Sequence, residues 1–386
     1  MNFNLDSEQQ LLQDSVRRFV ERAYGFEART ALVRAGHGGS AANWTTFAEN
    51  GWLAAALPEA HGGLGGSVTD SALIAQQLGR GLVVEPFVGC AVLAPQTMAA
   101  AGTPAQQARV LPPVADGSRR LALAYSELTA RGDAAVARTV ATPCAGGYVL
   151  NGHKTLVLGA EDADWLIVSA CIAPNTTDIS LFLVDVRSAG LSLQPLPLHD
   201  GSRAADVVLQ DVSVAQDDLL GGAPGAGLPA LRHGLAHGVA ALCAELVGAM
   251  ERAIELTAEY LKTRHQFGVA IGSFQALQHR MADMAAELEL ARSMLYALLA
   301  SLQNDDPATQ QHWVSQAKAF VGRAARYVCG QAIQLHGGIG MTEEYAVGHY
   351  FKRAIVAEIL FGTADFHDAQ CASRLQRDLP QVTGAA

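Results

Sequence analysis

The sequence predicts an α+β protein of three domains: an all-α N-terminal domain (residues 1–117), a middle β-domain (118–224) and a C-terminal four-helix bundle (225–386). The main observation is periodicity, because apolar residues recur every three to four positions in the first and last parts and every two in the middle. A second observation is the glycine-rich link at 221–227, which separates the last strand from the first long helix.

The N-terminal domain begins with Ser7-Glu8-Gln9-Gln10, a pattern typical of a helix capping box. Apolar residues at helical spacing follow over 11–20, and further helical segments are predicted over 44–49 and 70–78. The segment 58–66 contains four glycines and a proline, and therefore predicts a loop.

The middle domain reads as a series of short strands. Asn151-Gly152 lies between two apolar runs and predicts a hairpin turn, because both central positions of that turn favour positive φ. Further strands are predicted over 165–170, 179–186, 191–196 and 206–214. Strands of similar length at short spacing predict an antiparallel domain, a small barrel or sandwich.

The C-terminal domain reads as long helices joined by short links. They are predicted over 231–262, 273–303, 307–335 and 354–375. This pattern is typical of an antiparallel bundle.

Composition narrows the function classes. Half of the 386 residues are apolar and only 17% are charged, so the chain can bury a large core. Its formal charge of −10 argues against a nucleic acid or an anionic membrane surface as partner, since both require clustered positive charge. An anionic small ligand held by one or two arginines remains compatible with this balance.

The cysteines and the N-terminus indicate the compartment. Six cysteines lie far apart with no C-x-x-C pair, so neither a metal site nor a disulfide framework is predicted. The N-terminus lacks an apolar signal core, and no run approaches the ~20 apolar residues of a membrane span. A reduced, cytoplasmic location is therefore expected.

Three elements could carry chemistry: the glycine loop at 58–66, Arg264-x-x-Phe267-Gly268 followed by Gln275, and the stretch 334–340, which contains Gly337, Gly338 and Gly340. An arginine beside an aromatic ring can hold a pyrophosphate, and glycines let a backbone approach a ligand closely. Taken singly, each element also has a plain structural interpretation. The loop at 58–66 is then a flexible turn, the stretch 334–340 a helix C-cap, and Arg264-x-x-Phe267-Gly268 a basic helix end with a core phenylalanine and a glycine cap. Neither glycine element follows a strand of a βαβ unit, which excludes a Rossmann site.

In combination and order, these elements resemble the acyl-CoA dehydrogenase family over nearly the whole chain. The resemblance implies that family's fold, with an antiparallel β-barrel between two helical domains. It also implies FAD as cofactor, α,β-dehydrogenation of an acyl-CoA thioester, and electron-transfer flavoprotein as the electron acceptor. In that family FAD lies at a subunit interface, with the β-domain of one chain and the bundle of another around it.

The resemblance assigns cofactor contacts to specific residues. Arg264 is expected to meet the pyrophosphate, Phe267 and Gln275 to line the cofactor, and Gln334 and Gly338 to meet its adenosine end. Ser126 and Thr363 are the cofactor contacts expected from the β-domain and from the end of the bundle.

The chain departs from the family where the catalytic base is expected. The family places a Glu immediately before a Gly-Thr pair, and this chain has Phe361 before Gly362-Thr363. Some members place the Glu instead at the head of the first bundle helix, a position that aligns without gaps with Gly238. With a short gap the same site falls on His237, the one substitute base that the alignment offers. The catalytic residue is therefore unassigned.

The flavin-binding pattern of the β-domain is also altered. The family pattern is close to T-E-P-x-x-G-S-D, and this chain has S-E-L-T-A-R-G-D over 126–133, with Arg131 at the position of the Gly. The family's Trp-x-Thr contact aligns with Leu156-Val157-Leu158, which offers neither the ring nor the hydroxyl. Asp365 replaces a Gln that usually touches the cofactor.

These departures lead to one hypothesis and two alternatives. The base and the β-domain contacts, which in this family serve a chain's own flavin, are lost or altered. The bundle residues that contact a neighbour's flavin are retained. The chain therefore resembles the base-lacking small subunit of a hetero-oligomeric acyl-CoA dehydrogenase, as in pimeloyl-CoA dehydrogenase, and would pair with a homologous subunit in a dimer or tetramer. The alternatives are a self-sufficient homotetramer that uses His237, and a non-catalytic acyl-CoA-binding or structural subunit.

Overall fold

The computed structural model describes residues 5–36, 38–130, 132–173 and 177–378. The predicted architecture is confirmed: helices, then a β-domain, then long helices again. The helices within these residues are α1 (Ser7–Ala23), α2 (Phe26–Ala35), α3 (Ala41–Glu49), α4 (Val68–Arg80), α5 (Ala94–Ala101), α6 (Pro104–Ala115), α7 (Leu228–Thr263), α8 (Gln275–Asn304), α9 (Pro307–His336), α10 (Val347–Ile359) and α11 (Ala364–Asp378).

The N-terminal domain differs from the prediction in the position of its first cap. The N-cap of α1 is Asp6, whose carboxylate accepts from the Gln9 backbone N–H at 2.8 Å, while the Gln9 side chain accepts from the Asp6 N–H. The capping box is thus one residue earlier than the predicted Ser7–Gln10, because a carboxylate caps as well as a hydroxyl.

The middle domain is one seven-stranded sheet. A separate two-stranded ribbon lies farther along the chain, in the bundle region. The strands are β1 (Leu121–Ala124), β2 (Val140–Cys144), β3 (Gly147–Leu158), β4 (Trp165–Ile172), β5 (Ile179–Asp185), β6 (Leu191–Pro197), β7 (Arg203–Ala215), β8 (His265–Gln266) and β9 (Val269–Ala270). The order in the sheet is β1-β4-β2-β3-β7-β6, with β5 also paired to β4. Most pairs are antiparallel as predicted, but β4 runs parallel to both β1 and β2.

The Asn151-Gly152 hairpin prediction is wrong. Both residues lie inside β3, where the pairing with β7 shifts register between Leu150 and Gly152. The Asn151 amide exchanges two hydrogen bonds of 2.9 Å with Asp211 on β7, so its polar side chain stabilises a bulge rather than a turn. The β2–β3 hairpin instead turns just before Gly147.

The C-terminal helices match the prediction except for the last. The segment predicted as one helix over 354–375 is two, α10 and α11, which are separated at 360–363. Phe361 and Gly362 both have positive φ (60° and 99°), a conformation that a right-handed helix cannot contain. This break forms part of the candidate site.

Close helix packing fixes the N-terminal domain on the bundle. A Cβ atom on Gly79 of α4 would lie 2.0 Å from the Glu245 carbonyl oxygen of α7, and one on Gly248 would lie 1.9 Å from that of Gln76. Glycine is therefore required where these two helices cross.

A buried ionic cluster joins all three domains. Arg353 of α10 pairs with Glu245 of α7 and with Asp200 of the β-domain, and the Asp200 backbone carbonyl accepts from Arg29 of α2. All four side chains are buried. Their charges compensate one another, which is what permits their burial.

Among the described residues, no helix combines the length and apolar character needed to cross a bilayer. The six cysteines are free thiols. The described residues contain no cluster of three or more His, Cys, Asp or Glu side chains arranged to hold a metal ion.

Candidate functional site

The centre of the candidate site is the break between α10 and α11. Phe361 is a non-glycine residue in the left-handed region, and its side chain is buried. Such a conformation costs of order 1–3 kcal/mol and persists only where surrounding contacts impose it.

Two buried side chains from the bundle hold the break. His367 of α11 donates from Nε2 to the Phe361 carbonyl oxygen at 3.0 Å, and Lys318 of α9 donates to that of Gly362 at 2.9 Å. The other ring nitrogen of His367 lies 3.2 Å from the Ser315 hydroxyl, which donates to it. Burial, with a contribution from Lys318, lowers the pKa of His367 to about 4, so the ring is neutral at pH 7.

The Phe361 ring occupies the space between the break and α7. A Cβ atom on Gly238 would lie 3.6 Å from the tip of this ring, so the two candidate base positions of the family face each other in this chain. Neither carries a carboxylate. The carboxylate of Glu358, on the last turn of α10, is directed instead to α11, where it accepts from the Ala364 N–H at 2.9 Å.

Phe361 closes a narrow crevice that extends toward the β-domain. The crevice has a volume of about 20 Å³, room for about one water molecule, and Ser126, Leu156 and Leu158 form its opposite wall. No carboxylate lines it in the described part of the chain.

Local backbone irregularity in β3 presents Leu156 to this crevice. The register of β3 against β7 shifts between Lys154 and Val157, and Leu156 has a φ of 54°. Asp206 fixes this bulge by accepting from the Thr155 hydroxyl at 2.6 Å and from the Leu156 N–H at 3.2 Å.

Glu127 organises the loop that begins with Ser126. Its carboxylate accepts from Lys154 at 2.7 Å and from the Thr139 hydroxyl at 2.7 Å, among other bonds. Burial raises the pKa of Glu127, but the Lys154 charge and these bonds outweigh it and lower the pKa overall. The loop then contacts the helix break, since a Cβ atom on Gly132 would lie 2.7 Å from Gly362 Cα. Arg131 lies outside the described residues.

A second, larger cavity of about 600 Å³ lies on the other side of Phe361. It is bounded by α7, α9, α11 and the loop at 132–135, and Phe361 is the residue that also lines the narrow crevice. The Phe361 side chain therefore separates the two spaces.

The residues assigned to a neighbour's cofactor gather at one end of the bundle. Phe267 and Gly268 form the two-residue turn between β8 and β9, both with positive φ, and Phe267 is 92% exposed. This exposure excludes the interpretation of Phe267 as a core residue. Arg264, Gln275 and Gln334 are also exposed.

Two contacts bring these separate motifs together. Tyr260, one turn before Arg264, stacks on His336 with ring centroids 4.5 Å apart. Arg280 of α8 donates to Gln331 of α9 at 3.0 Å, one turn before Gln334.

Gly338 has no structural requirement within the described chain. Its φ is not positive, and an added Cβ atom would meet nothing within 4 Å. Gly337, in contrast, has a φ of 64° and caps α9. A glycine that its own chain does not need is consistent with close approach of an external group.

The remaining sequence candidates lie elsewhere or have structural roles. The 58–66 loop packs on its own backbone, where a Cβ atom on Gly63 would lie 2.0 Å from the Leu57 carbonyl oxygen. Thr363 caps α11 by accepting from the Phe366 N–H at 3.3 Å, and Asp365 is exposed.

His237 lines neither of the spaces that Phe361 borders. Its ring instead lies against His233, with centroids 4.4 Å apart. Burial, with His233 adding to it, lowers the pKa of His237 to about 3.

The sequence did not predict the positioning roles of Lys318, His367 and Glu127. For Lys318 a signal was available, because it lies among apolar residues on the buried face of α9. His367 offered no comparable signal, since its role depends on the break in the last helix.

The chain matches three models of one family: the acyl-CoA dehydrogenase N-terminal domain over residues 6–118, the middle domain over 122–212 and the C-terminal domain over 225–376. The chain therefore belongs to the acyl-CoA dehydrogenase family and is an oxidoreductase of that family.

Relatives and solved structures support this family assignment. The chain is 31% identical over 383 residues to the probable acyl-CoA dehydrogenase YngJ of Bacillus subtilis, covering 97% of this chain and 100% of that protein. It is 29% identical to subunit CarC of the caffeyl-CoA reductase–Etf complex of Acetobacterium woodii, over 82% of this chain and 85% of that protein. A chain of the ChsE4–ChsE5 complex of Mycobacterium tuberculosis superposes with a TM-score of 0.88 at 26% identity, covering 98% of this chain and 100% of that chain.

The two halves of the site fit FAD differently. The crevice beside Ser126 is apolar and far smaller than the roughly 300–1,000 Å³ of typical ligand pockets, so it does not fit a flavin ring. The exposed surface around Arg264, Phe267 and Gly338 offers a cation, an aromatic ring and an open backbone, which fit the pyrophosphate and adenosine portions.

Proposed function

We propose that this chain is the subunit without a catalytic carboxylate in a hetero-oligomeric, FAD-dependent acyl-CoA dehydrogenase. A homologous partner chain supplies the flavin pocket and the carboxylate that removes the α-proton of the thioester. This chain supplies the bundle end that carries Arg264, Phe267, Gln275, Gln334 and Gly338. When bound, the flavin of this family accepts the β-hydrogen as hydride.

The observation that carries the proposal is the separation of two half-sites along α7: the crevice closed by Phe361, and the exposed bundle end that carries Arg264. Gly238 faces the Phe361 ring, whereas Arg264 follows the last residue of the same helix. Arg264 lies 26 positions after Gly238, which corresponds to about 39 Å at ~1.5 Å per residue, more than the diameter of a small domain. This spacing supports a second chain that brings its own bundle end to the cofactor.

The asymmetry between the two half-sites supports a partner that differs from this chain. In a homo-oligomer every cofactor would meet a competent bundle end but also a crevice closed by Phe361 and walled by Leu156 and Leu158. A partner with an intact pocket removes this conflict. The ChsE4–ChsE5 complex shows that a two-component assembly occurs among structures similar to this chain.

Electron-transfer flavoprotein is the acceptor that we propose for the assembly. The support is the similarity to CarC, which is named as a subunit of a complex with Etf.

The test is to purify the chain alone and together with a homologous chain that carries the Glu before Gly-Thr. We expect no flavin absorbance in the chain alone, and bound FAD with acyl-CoA-dependent bleaching in the complex. A yellow protein that contains one FAD per chain and is reduced by acyl-CoA in the absence of a partner would contradict the proposal.

Arg264→Ala in the complex tests the assigned role of the bundle end. Loss of a charge-assisted contact to a pyrophosphate, worth about 1.5–3 kcal/mol, should weaken FAD binding by roughly 10- to 150-fold. The matched control is Arg187→Ala, because Arg187 is 77% exposed in a turn of the β-domain and, among the described residues, its ion pair is with Asp185. Equal FAD affinity in both variants would remove Arg264 from the cofactor site.

The larger cavity beside Phe361 favours a second candidate function, a subunit that binds an acyl-CoA without chemistry. Arg232 lines this cavity and makes no ion pair within the described residues. Calorimetric titration with an acyl-CoA in the absence of partner and FAD separates the candidates, because only this second function requires binding by the isolated chain.

A further inference from the structure

A third cavity, of about 650 Å³, lies between the N-terminal domain and the bundle. Helices α1 and α4 form one side, and α7 and α8 form the other. It shares no lining residue with either space beside Phe361. Its volume falls within the range of small-molecule sites, roughly 300–1,000 Å³.

Part of the lining is apolar. Ala72 and Leu73 of α4 lie opposite Leu295 and Leu299 of α8, and all four are buried side chains that border the cavity. A ligand therefore gains free energy by placing a hydrocarbon portion against them.

The charged groups of the lining are already neutralised. Arg17, Arg80 and Arg292 each pair with a carboxylate, at 2.9, 2.8 and 2.7 Å. Glu251, the one carboxylate in the lining, accepts from Arg80, Arg292 and the Gln76 amide. The cavity consequently offers no uncompensated charge to a ligand.

Gln77 is the buried polar side chain of this lining that has no partner among the described residues. Its side chain is only 5% exposed, lines the cavity and makes no hydrogen bond to any other described residue. A buried carboxamide that lacks partners costs free energy, so this amide is poised for a ligand or for water.

We infer that this cavity is a binding site for a neutral amphiphile that carries an amide group. The Gln77 carboxamide presents a donor and an acceptor side by side, and a ligand amide satisfies both with two reciprocal hydrogen bonds. An alcohol offers a single rotating hydroxyl, and a carboxylate or an ammonium ion satisfies only one of the two groups while bringing an unpaired charge. The hydrocarbon part of the ligand then lies between α4 and α8.

Hexanamide is the probe, with hexanoate and hexylamine as matched charged analogues of the same length. Ligand-observed NMR on the chain, in the assembly in which it purifies, measures each dissociation constant. Hexanamide should bind at least tenfold more tightly than either analogue. Octanamide should bind about 15-fold more tightly than hexanamide, at about fourfold per buried methylene.

Two variants assign binding to the cavity. Gln77→Met keeps the unbranched shape but removes the amide, and should weaken hexanamide binding about tenfold. Ala72→Phe places a ring against the apolar part of the lining, where the hydrocarbon portion of the ligand would lie, and should abolish binding. The matched control Gln194→Met, on the exposed surface of β6, should leave binding unchanged. Circular dichroism verifies folding, and the inference does not depend on FAD or on a partner.

Three outcomes overturn the inference. One is the absence of hexanamide binding, and another is hexanoate or hexylamine binding as tight as that of the amide. The third is unchanged hexanamide affinity in both Gln77→Met and Ala72→Phe.

Discussion

The left-handed conformation of Phe361 can be tested by comparing Phe361→Gly with Phe361→Ala. Both variants remove the buried ring and join the 600 Å³ cavity to the crevice, so each should lose stability, by about 3 kcal/mol at the low end of Phe→Ala substitutions. They differ in backbone preference. At a φ of 60° an alanine is disfavoured by ~1–2 kcal/mol, a cost that glycine avoids. The structure therefore predicts that Phe361→Gly is the more stable variant by about 1 kcal/mol.

The sign of this difference distinguishes a helix break from a continuous helix. In a helix interior, glycine is less stable than alanine by ~1 kcal/mol. The matched control is Ala369→Gly, at an exposed position inside α11, which should lose about that amount.

Chemical denaturation, followed by circular dichroism at one protein concentration, measures the three differences. A fixed concentration is necessary because assembly contributes to apparent stability. If Phe361→Ala is as stable as Phe361→Gly or more stable, the positive φ at this position and the separation of α10 from α11 are wrong.

Three further predictions concern the groups that support the site. Glu127→Ala should cost about 3–5 kcal/mol by leaving the buried Lys154 charge without its carboxylate, and adding Lys154→Met should restore part of the loss. An additive double variant would contradict this. His367 has a pKa of about 4 in the folded chain against 6.5 unfolded, so its contribution is complete above pH 6.5 and is lost as the pH falls toward 4. His367→Gln should therefore flatten the slope of unfolding free energy against pH in that window, and an unchanged slope would exclude His367 as its source. Gly248→Ala should lower the free energy of unfolding by about 1–3 kcal/mol, although alanine has the better helix propensity, because the methyl group would overlap the Gln76 carbonyl oxygen. A neutral or stabilised variant would show that α4 and α7 do not cross so closely.

The sequence was most informative where periodicity and local chemistry agree. The long helices α7, α8 and α9 were predicted to within a few residues, because their apolar periodicity is long and ends at proline, glycine or an acidic cap. The last helix was predicted as continuous because apolar spacing continues through 360–363. Its break depends on Lys318 and His367, which lie elsewhere in the chain and bind the carbonyls of the break.

Asn151-Gly152 illustrates the opposite limit. The dipeptide favours positive φ locally, but Asp211 on β7 offers the Asn151 amide a reciprocal pair of hydrogen bonds. The positive φ at this bulge belongs to Asp211 on β7 (54°), whereas neither Asn151 nor Gly152 has one. The local preference of the dipeptide is therefore overridden by the pairing of β3 with β7.

The sequence proposed residues for the candidate site but did not show how the fold separates them. Motif spacing identified both Phe361 and the Arg264 group, yet spacing does not show that α7 holds them at opposite ends. In the function that we propose, α7, which is continuous over Leu228–Thr263, is a rigid spacer between the Phe361 site and the bundle end that serves a partner's cofactor. No described contact links Phe361 to Arg264, so a change at one end leaves the other end intact. Under that proposal, a subunit of this fold lacks its own catalytic site and is still required for the site of its partner.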